Sequence, residues 1–307
     1  MSPYKNCLLC PRRCGVDREA GQRGYCGETA ELRLAFAGIH RGEEPPITGN
    51  GGSGTIFVSG CNLGCAFCQN YQISHNRLGS IVTTGEFAEI CLSLQEKGVE
   101  NINIVTGSHA APAIVLGIEA ARKQGLCIPV LWNSSGYDGL ETLEVLKGFV
   151  DVYLPDLKTL DPGIAARFFN APDYPEHAAK ALLKMMESSE LRFGPADIMV
   201  SGLMVRHLVI PGFLENTRQV LAWFSHNCRG RALLSLMTQY TPVKVSGEIP
   251  GCYVSVEEYD AVMSMLDEFG IDDGFCQELV TGSDWLPDFT RPNPFSSELS
   301  VPVWHWR

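Results

Sequence analysis

Nowhere in this 307-residue chain does an apolar run approach the ~20 residues that a bilayer-spanning helix requires. Residues 1–6 also lack the apolar core of an export signal, so a cytoplasmic protein with no membrane partner is expected. Basic residues are outnumbered, 24 Lys and Arg against 35 Asp and Glu, and the formal net charge is −11. Such a field repels phosphate backbones, which argues against nucleic acid as a partner. The polar, highly charged composition of disordered chains is missing too. Hydrophobic residues make up 45% and charged residues 19%, enough for a large buried core. No repeat of about 20 to 50 residues is present beyond an alternation of strands and helices. The acidic excess has one local exception: within the first 26 residues Lys5, Arg12, Arg13, Arg18 and Arg23 outnumber Asp17 and Glu19. This stretch reads as a solvated basic surface around a metal site.

Cysteine, by contrast, is plentiful. There are twelve, and in a reducing cytosol they are expected to be thiols or metal ligands rather than disulfides. Cys91, Cys127, Cys228, Cys252 and Cys276 are scattered and read as buried, inert residues. The other seven fall into two sets. Cys7-x2-Cys10-x3-Cys14-x11-Cys26 brings four thiols close in sequence, and Pro11, Gly15, Gly24 and Gly27 beside them permit tight turns that aim backbone amides at sulphur. That spacing leaves a zinc site, an auxiliary iron–sulphur cluster and no metal as open readings.

From residue 55 onward, short β-branched runs alternate with longer helical patterns, the mark of βαβ units around a parallel sheet. Strands are predicted at 55–59, 101–105, 129–133, 151–154, 205–209 and 232–237. Helices are predicted at 84–97, 111–124, 139–147, 178–191, 214–226 and 256–269. Thr83 or Thr84 as N-cap, Glu86 in the first turn and Gly98 beyond the end punctuate the first of them. Six units imply an α/β fold, a partial (β/α)6 TIM-type barrel with a small amino-terminal cysteine-rich metal module. The predicted division is 1–50 for the module and connector, 51–286 for the barrel and 287–307 for an irregular tail.

The second cysteine set, Cys61-x3-Cys65-x2-Cys68, directly follows the first predicted strand. Thiolates so placed face one metal centre and select iron–sulphur clusters or zinc. Three thiolates on a four-iron cluster leave one iron without a protein ligand and open to another molecule. A zinc knuckle completed by a distant Cys or His is the competing reading of the spacing, and Phe67 in the C-x3-C-x-Φ-C pattern weighs against it.

This stretch resembles the cluster loop of the radical S-adenosylmethionine (SAM) superfamily. The resemblance implies a 4Fe-4S cluster on Cys61, Cys65 and Cys68, with SAM chelating the unique iron through its amino and carboxylate groups. It implies an oxidoreductase that reductively cleaves SAM to a 5′-deoxyadenosyl radical for hydrogen abstraction, supplied with electrons by a donor such as flavodoxin or ferredoxin. Four further segments resemble the cysteine-rich branch related to pyruvate formate-lyase activating enzymes. They are Cys7-Leu-Leu-Cys10-Pro-Arg-Arg-Cys14, Asn101-Ile-Asn-Ile-Val-Thr106, Tyr153-Leu-Pro-Asp156-Leu-Lys158 and Arg206-His-Leu-Val-Ile-Pro211-Gly212. That likeness implies a possible protein substrate that acquires a glycyl radical. The chain departs from the activating enzymes after the second strand, where Thr106-Gly107-Ser108-His109 replaces the Gly-Gly-Glu element that binds the methionyl amino group.

Barrel enzymes carry their chemistry at the carboxyl ends of the strands, and the candidates fall there. Phe67 lies in the cysteine loop, Thr106 and His109 follow the second strand, Asn133 and Ser134 end the third, and Asp156 and Lys158 follow the fourth. Arg206 lies within the fifth, while Gln239 and Tyr240 follow the sixth. The SAM carboxylate calls for Lys158 or Arg206, and its ammonium and ribose for Asn133, Ser134 or Asp156. His109 either contacts cofactor or substrate or caps the helix near 111. Segments 240–242 and 289–292 are expected to pack rather than act. A partial barrel has a lateral opening for a polypeptide loop or a small molecule, so the substrate stays open. The alternative function is a non-enzymatic electron carrier or metal scaffold, which would normally saturate its cluster with a fourth thiolate.

Overall fold

The computed structural model describes residues 2–243, 249–279, 282–283 and 285–307. Its first regular elements are β1 (Leu32–His40), α1 (Pro45–Thr48), β2 (Ser53–Val58), α2 (Tyr71–Ser74), β3 (Ser80–Val82) and α3 (Thr84–Glu96). Next come β4 (Asn101–Val105), α4 (Ala111–Lys123), β5 (Val130–Ser134), α5 (Leu140–Leu146) and β6 (Val152–Pro155). Helices α6 (Pro162–Phe169) and α7 (Tyr174–Ser188) precede the short β7 (Arg192–Phe193) and the long β8 (Met199–Leu208). The chain continues through α8 (Leu214–Asn227), β9 (Leu233–Met237), α9 (Val256–Glu268), β10 (Gly274–Cys276) and β11 (Ser300–His305).

The main sheet runs β10-β9-β8-β6-β5-β4-β2-β1-β11. Neighbours from β10 to β2 are parallel, and β1 pairs antiparallel with both β2 and β11. Every residue of β2, β4 and β6 is buried, as strands covered on both faces must be. The ends of the sheet stay open, which makes the fold a partial TIM-type barrel. The six predicted strands are β2, β4, β5, β6, β8 and β9. The predicted cap of α3 is a full capping box, with Thr83 and Glu86 each bonded to the other's main chain. Among the described residues, no helix is long and apolar enough to cross a membrane.

Three stretches read from sequence as accessory belong to the barrel. Within the stretch 1–50 assigned to module and connector, β1 pairs with β2 along its length and extends the sheet. The 287–307 stretch is not all irregular: Phe289 is fully buried and β11 completes the sheet edge. Pro302 within β11 argues against a central strand, yet an edge strand tolerates it. The connector of residues 41–52, between β1 and β2, closes the amino-terminal end of the barrel. Ile47 of α1 packs with Leu131, Leu154, Met204 and Leu233, and its carbonyl accepts Asn101 Nδ2–H at 2.8 Å.

Candidate active site

A cavity of about 330 Å³ opens at the carboxyl ends of the parallel strands. Cys61, Cys65, Phe67 and Cys68 form one wall, and Thr106, Asn133, Ser134, Asp156, Lys158 and Arg206 also face it. Of the cofactor-contact residues predicted from sequence, His109 alone is not on its lining.

The cysteine loop is fixed by bonds to its surroundings. Asn62 Nδ2 donates to Tyr137 O at 2.6 Å, and Ala66 N to Phe168 O at 2.8 Å. The Phe67 ring packs against Phe168, Phe169 and Tyr240, with centroids 5.6, 6.0 and 5.7 Å away. Phe67 therefore anchors the loop in an aromatic cluster as well as lining the cavity, and Tyr240 is packing, as expected. All three cysteines are free thiols. Leu63 N–H points at Cys61 Sγ (3.4 Å), and Ser74 Oγ lies 3.2 Å from Cys68 Sγ.

Burial, reinforced by Cys61, pushes the Cys68 thiol up to about 11. Burial raises Cys65 as well, against the pull of the Lys158 ammonium. A metal centre must therefore displace protons from these thiols. Among the described residues no three His, Cys, Asp or Glu side chains are grouped as ligands of a single metal ion. Three soft thiol donors on one cavity wall are the donor type that an iron–sulphur cluster takes.

Lys158 Nζ lies 2.6 Å from Asp156 Oδ2, with both side chains mostly shielded. Burial opposes the ammonium, but Asp156 outweighs it and keeps the lysine charged. Tyr174, not anticipated from sequence, fixes this corner. Its hydroxyl accepts Lys158 N–H at 3.0 Å and lies 2.9 Å from both Ser135 O and Asp156 O. Gly136 has a φ of 74°, and a Cβ there would collide with Asp156 O, so only glycine permits the approach of these strand ends.

Asp138 is the second residue missed. It is fully buried and accepts Ser108 Oγ–H (2.7 Å), Ser134 Oγ–H (2.5 Å) and Trp132 Nε1–H (3.3 Å). Burial pushes its carboxyl up, against these three bonds. The Ser134 hydroxyl is thereby committed to the turn. The polar groups left for a ligand are its neighbours: Asn133, whose carboxamide has no partner among the described residues, and Ser135, whose buried Oγ has none. Thr106 holds a φ of 65°, rare for a β-branched residue and a local strain of about 1–3 kcal/mol on the cavity wall.

One expectation is corrected. His109 neither caps a helix nor reaches the cavity: it is buried, and Nε2 bonds Ser59 O at 2.8 Å. Burial and the Arg18 charge push it down to about 3, so it is neutral. Arg206 faces the cavity but already carries two carboxylates. Its Nε donates to Glu44 Oε1 at 2.9 Å and its Nη2 to Glu43 Oε2 at 2.5 Å. The connector's Glu-Glu pair gave no hint of this, because the contact spans more than 160 positions and depends on α1 closing the barrel.

The amino-terminal thiols sit together. Cys10 is pushed up to about 12, mainly by burial and further by Cys26, Cys14 and Cys7. Cys14 Sγ accepts Tyr25 N–H at 3.2 Å, and Arg18 Nη1 lies 3.7 Å from Cys7 Sγ. Gly24 lies between Cys14 and Cys26, where a Cβ would stand 3.4 and 3.7 Å from the two sulphurs. Of the scattered cysteines, Cys91 and Cys228 are buried as expected, whereas Cys127 and Cys252 are exposed.

The family model described as the Radical SAM superfamily matches residues 55–216, a little over half of the chain. A relative from Methanocaldococcus jannaschii, described as uncharacterized protein MJ0674, is 28% identical over 279 residues, covering 88% of this chain and 76% of its own. Among solved structures, Streptococcus suis SuiB bound to S-adenosylmethionine gives a TM-score of 0.51 at 13% identity, over 71% of this chain and 48% of SuiB. SuiB as solved in a second crystal structure gives 0.50 at 14% identity, over 71% and 47%. The chain thus spans about half the length of SuiB, and at these identities the likeness is one of fold.

Proposed function

The chain belongs to the radical SAM superfamily, and from that premise we propose that it is a cytoplasmic enzyme whose cavity holds a four-iron cluster and SAM together. When bound, that pair supplies one-electron reductive cleavage of the sulphonium and a 5′-deoxyadenosyl radical for hydrogen abstraction. The observation that carries the reading is the cavity itself. Three free thiols share it with the Asn133 and Ser135 side chains, neither of which has a hydrogen-bond partner among the described residues.

In this reading Cys61, Cys65 and Cys68 bind iron. The Lys158 ammonium faces the SAM carboxylate, and Asn133 and Ser135 receive its polar groups, with Asp156 holding Lys158 in place. Thr106 and Ser134 shape the wall, and the aromatic cluster around Phe67 keeps water from the loop. Arg206 acts from below, through its carboxylates. Cys7, Cys10, Cys14 and Cys26 hold the second metal centre, which is either zinc or an auxiliary iron–sulphur cluster.

A flavodoxin or ferredoxin is the proposed electron donor. The motifs shared with the activating-enzyme branch favour a polypeptide substrate, activated as a glycyl radical. An electron carrier needs no such cavity beside an incomplete thiol set.

The deciding experiment is anaerobic reconstitution followed by reduction. The wild-type protein should bind four irons at the Cys61 loop, change its reduced-state electron paramagnetic resonance (EPR) spectrum on addition of SAM, and release 5′-deoxyadenosine and methionine. Cys65→Ala should remain folded and lose all three. A reduced cluster indifferent to SAM, in buffer and in cell extract alike, would favour the electron-carrier alternative.

A further inference from the structure

Two arginines of the cysteine-rich segment reach out of it and hold the loop that carries Cys61, Cys65 and Cys68. Arg12, between Cys10 and Cys14, directs its donors to main-chain carbonyls. Inside the loop, Nε bonds Asn62 O and Nη2 bonds Leu63 O, each at 3.0 Å. At the end of α6, Nη1 bonds Asn170 O at 2.6 Å and Nη2 also bonds Phe169 O at 2.9 Å. The guanidinium stacks on Tyr25, 3.7 Å from the ring centroid. A cation is well placed over the last carbonyls of a helix, and only a planar fork can join four acceptors from two elements.

Arg18 works on the other side. It is 1% exposed, and Nη1 donates to His109 O at 2.6 Å. The His109 ring in turn bonds Ser59 O, two residues before Cys61. Its Nε2 carries the proton, because a carbonyl only accepts. Gly60 lies against the same segment, where a Cβ would stand 2.9 Å from Cys26 O and 2.6 Å from Glu28 Cγ.

We infer that the amino-terminal cysteine segment is a clamp on the catalytic loop, with Arg12 and Arg18 as positioning residues that set the backbone on either side of Cys61. This inference rests on the reading of Cys61, Cys65 and Cys68 as cluster ligands. It goes beyond that reading in making the two cysteine sets inseparable, whereas spacing alone treats the first as an independent module.

The test compares wild type, Arg12→Ala, Arg12→Lys and the control Arg13→Asn, all anaerobically reconstituted, by circular dichroism, iron content, EPR and SAM binding. Arg13 lies next in sequence but meets exposed Glu141. Folded Arg12→Ala should broaden the reduced-cluster spectrum and bind SAM roughly tenfold more weakly, about what one lost charge-assisted contact produces. Arg12→Lys should not rescue either readout, since an ammonium cannot span the four carbonyls, and Arg13→Asn should match wild type. Should Arg12→Ala fail to fold, Arg12→Lys decides by the same readouts. Wild-type spectrum and affinity in a folded Arg12 variant would overturn the clamp alone. A wild-type chain that binds no four-iron cluster would overturn the premise with it.

Discussion

Arg206 Nε donates to Glu44 Oε1 at 2.9 Å, joining β8 inside the barrel to the connector that closes its amino-terminal end. Glu43 reaches the same guanidinium. Burial pushes the Glu43 carboxyl up, but Arg206 and His40 outweigh it and hold it below the usual range. Arg206→Ala leaves two shielded carboxylates without their cation and should cost about 3–5 kcal/mol of stability. Denaturant unfolding measures this directly. The triple variant Glu43→Gln, Glu44→Gln, Arg206→Met should recover most of the loss, because all three charges go together. A stable Arg206→Ala protein with weakened SAM binding would instead restore the expectation drawn from sequence.

Among the described residues Lys158 has one carboxylate partner rather than two, so its charge remains available to a second. Lys158→Ala should weaken SAM binding by roughly tenfold to a hundredfold, as loss of a charge-assisted hydrogen bond does. Anaerobic calorimetry on the reconstituted protein gives the constant. An unchanged affinity would move the carboxylate contact elsewhere.

Gly136→Ala combines a left-handed backbone with a collision against Asp156 O, and should destabilise by more than about 2 kcal/mol. Gly125, at φ 108°, has nothing within 4 Å of the same Cβ position. Gly125→Ala should therefore show the dihedral penalty alone, about 1–2 kcal/mol. Equal melting temperatures for the two variants would mean the strand ends can part without loss.

The sequence made the barrel and its thiol loop legible for different reasons. Parallel strands buried on both faces, such as Val152–Pro155, stand out as apolar runs between helical patterns, and Cys61, Cys65 and Cys68 form a local pattern. What escaped depends on distant partners. Glu43 and Glu44 gain their role only where α1 meets β8. Asp138 looks like a turn residue until Ser108 and Trp132 converge on it. Tyr174 reads as the start of an ordinary helix, although its hydroxyl organises two strand ends. His109 was visible as polar and well positioned along the chain, but its ring is turned away from the cavity toward Ser59.

Acid should weaken the fold through His207. This buried ring bonds Leu157 O at 2.7 Å and Thr217 Oγ1 at 3.1 Å, and burial pushes it down to about 4. Above about pH 6.5 neither the folded nor the unfolded chain protonates it. As pH falls through that value the unfolded chain takes up a proton that the folded chain refuses, and stability drops until pH 4. The window is worth roughly 3 kcal/mol. Between unfolding curves at pH 7 and pH 5, His207 should account for about 2 kcal/mol of the loss, beside a like contribution from the buried His109 ring, and His207→Asn should remove its own share of the difference. A slope unaffected by that substitution would assign the acid sensitivity to another group.

Strand β1 is completed by a partner from the far end of the sequence, since Ser300–His305 covers the second edge of its residues 36–40. During synthesis β1 emerges early and can pair with β2, and its first residues, 32–34, with β3, but residues 36–40 wait with one row of amides and carbonyls uncovered until residues 300–305 have been made. An uncovered edge of this kind recruits foreign strands. The growing polypeptide is thus most prone to aggregate over almost the whole of its translation, and a stalled or prematurely terminated product would carry that sticky edge permanently.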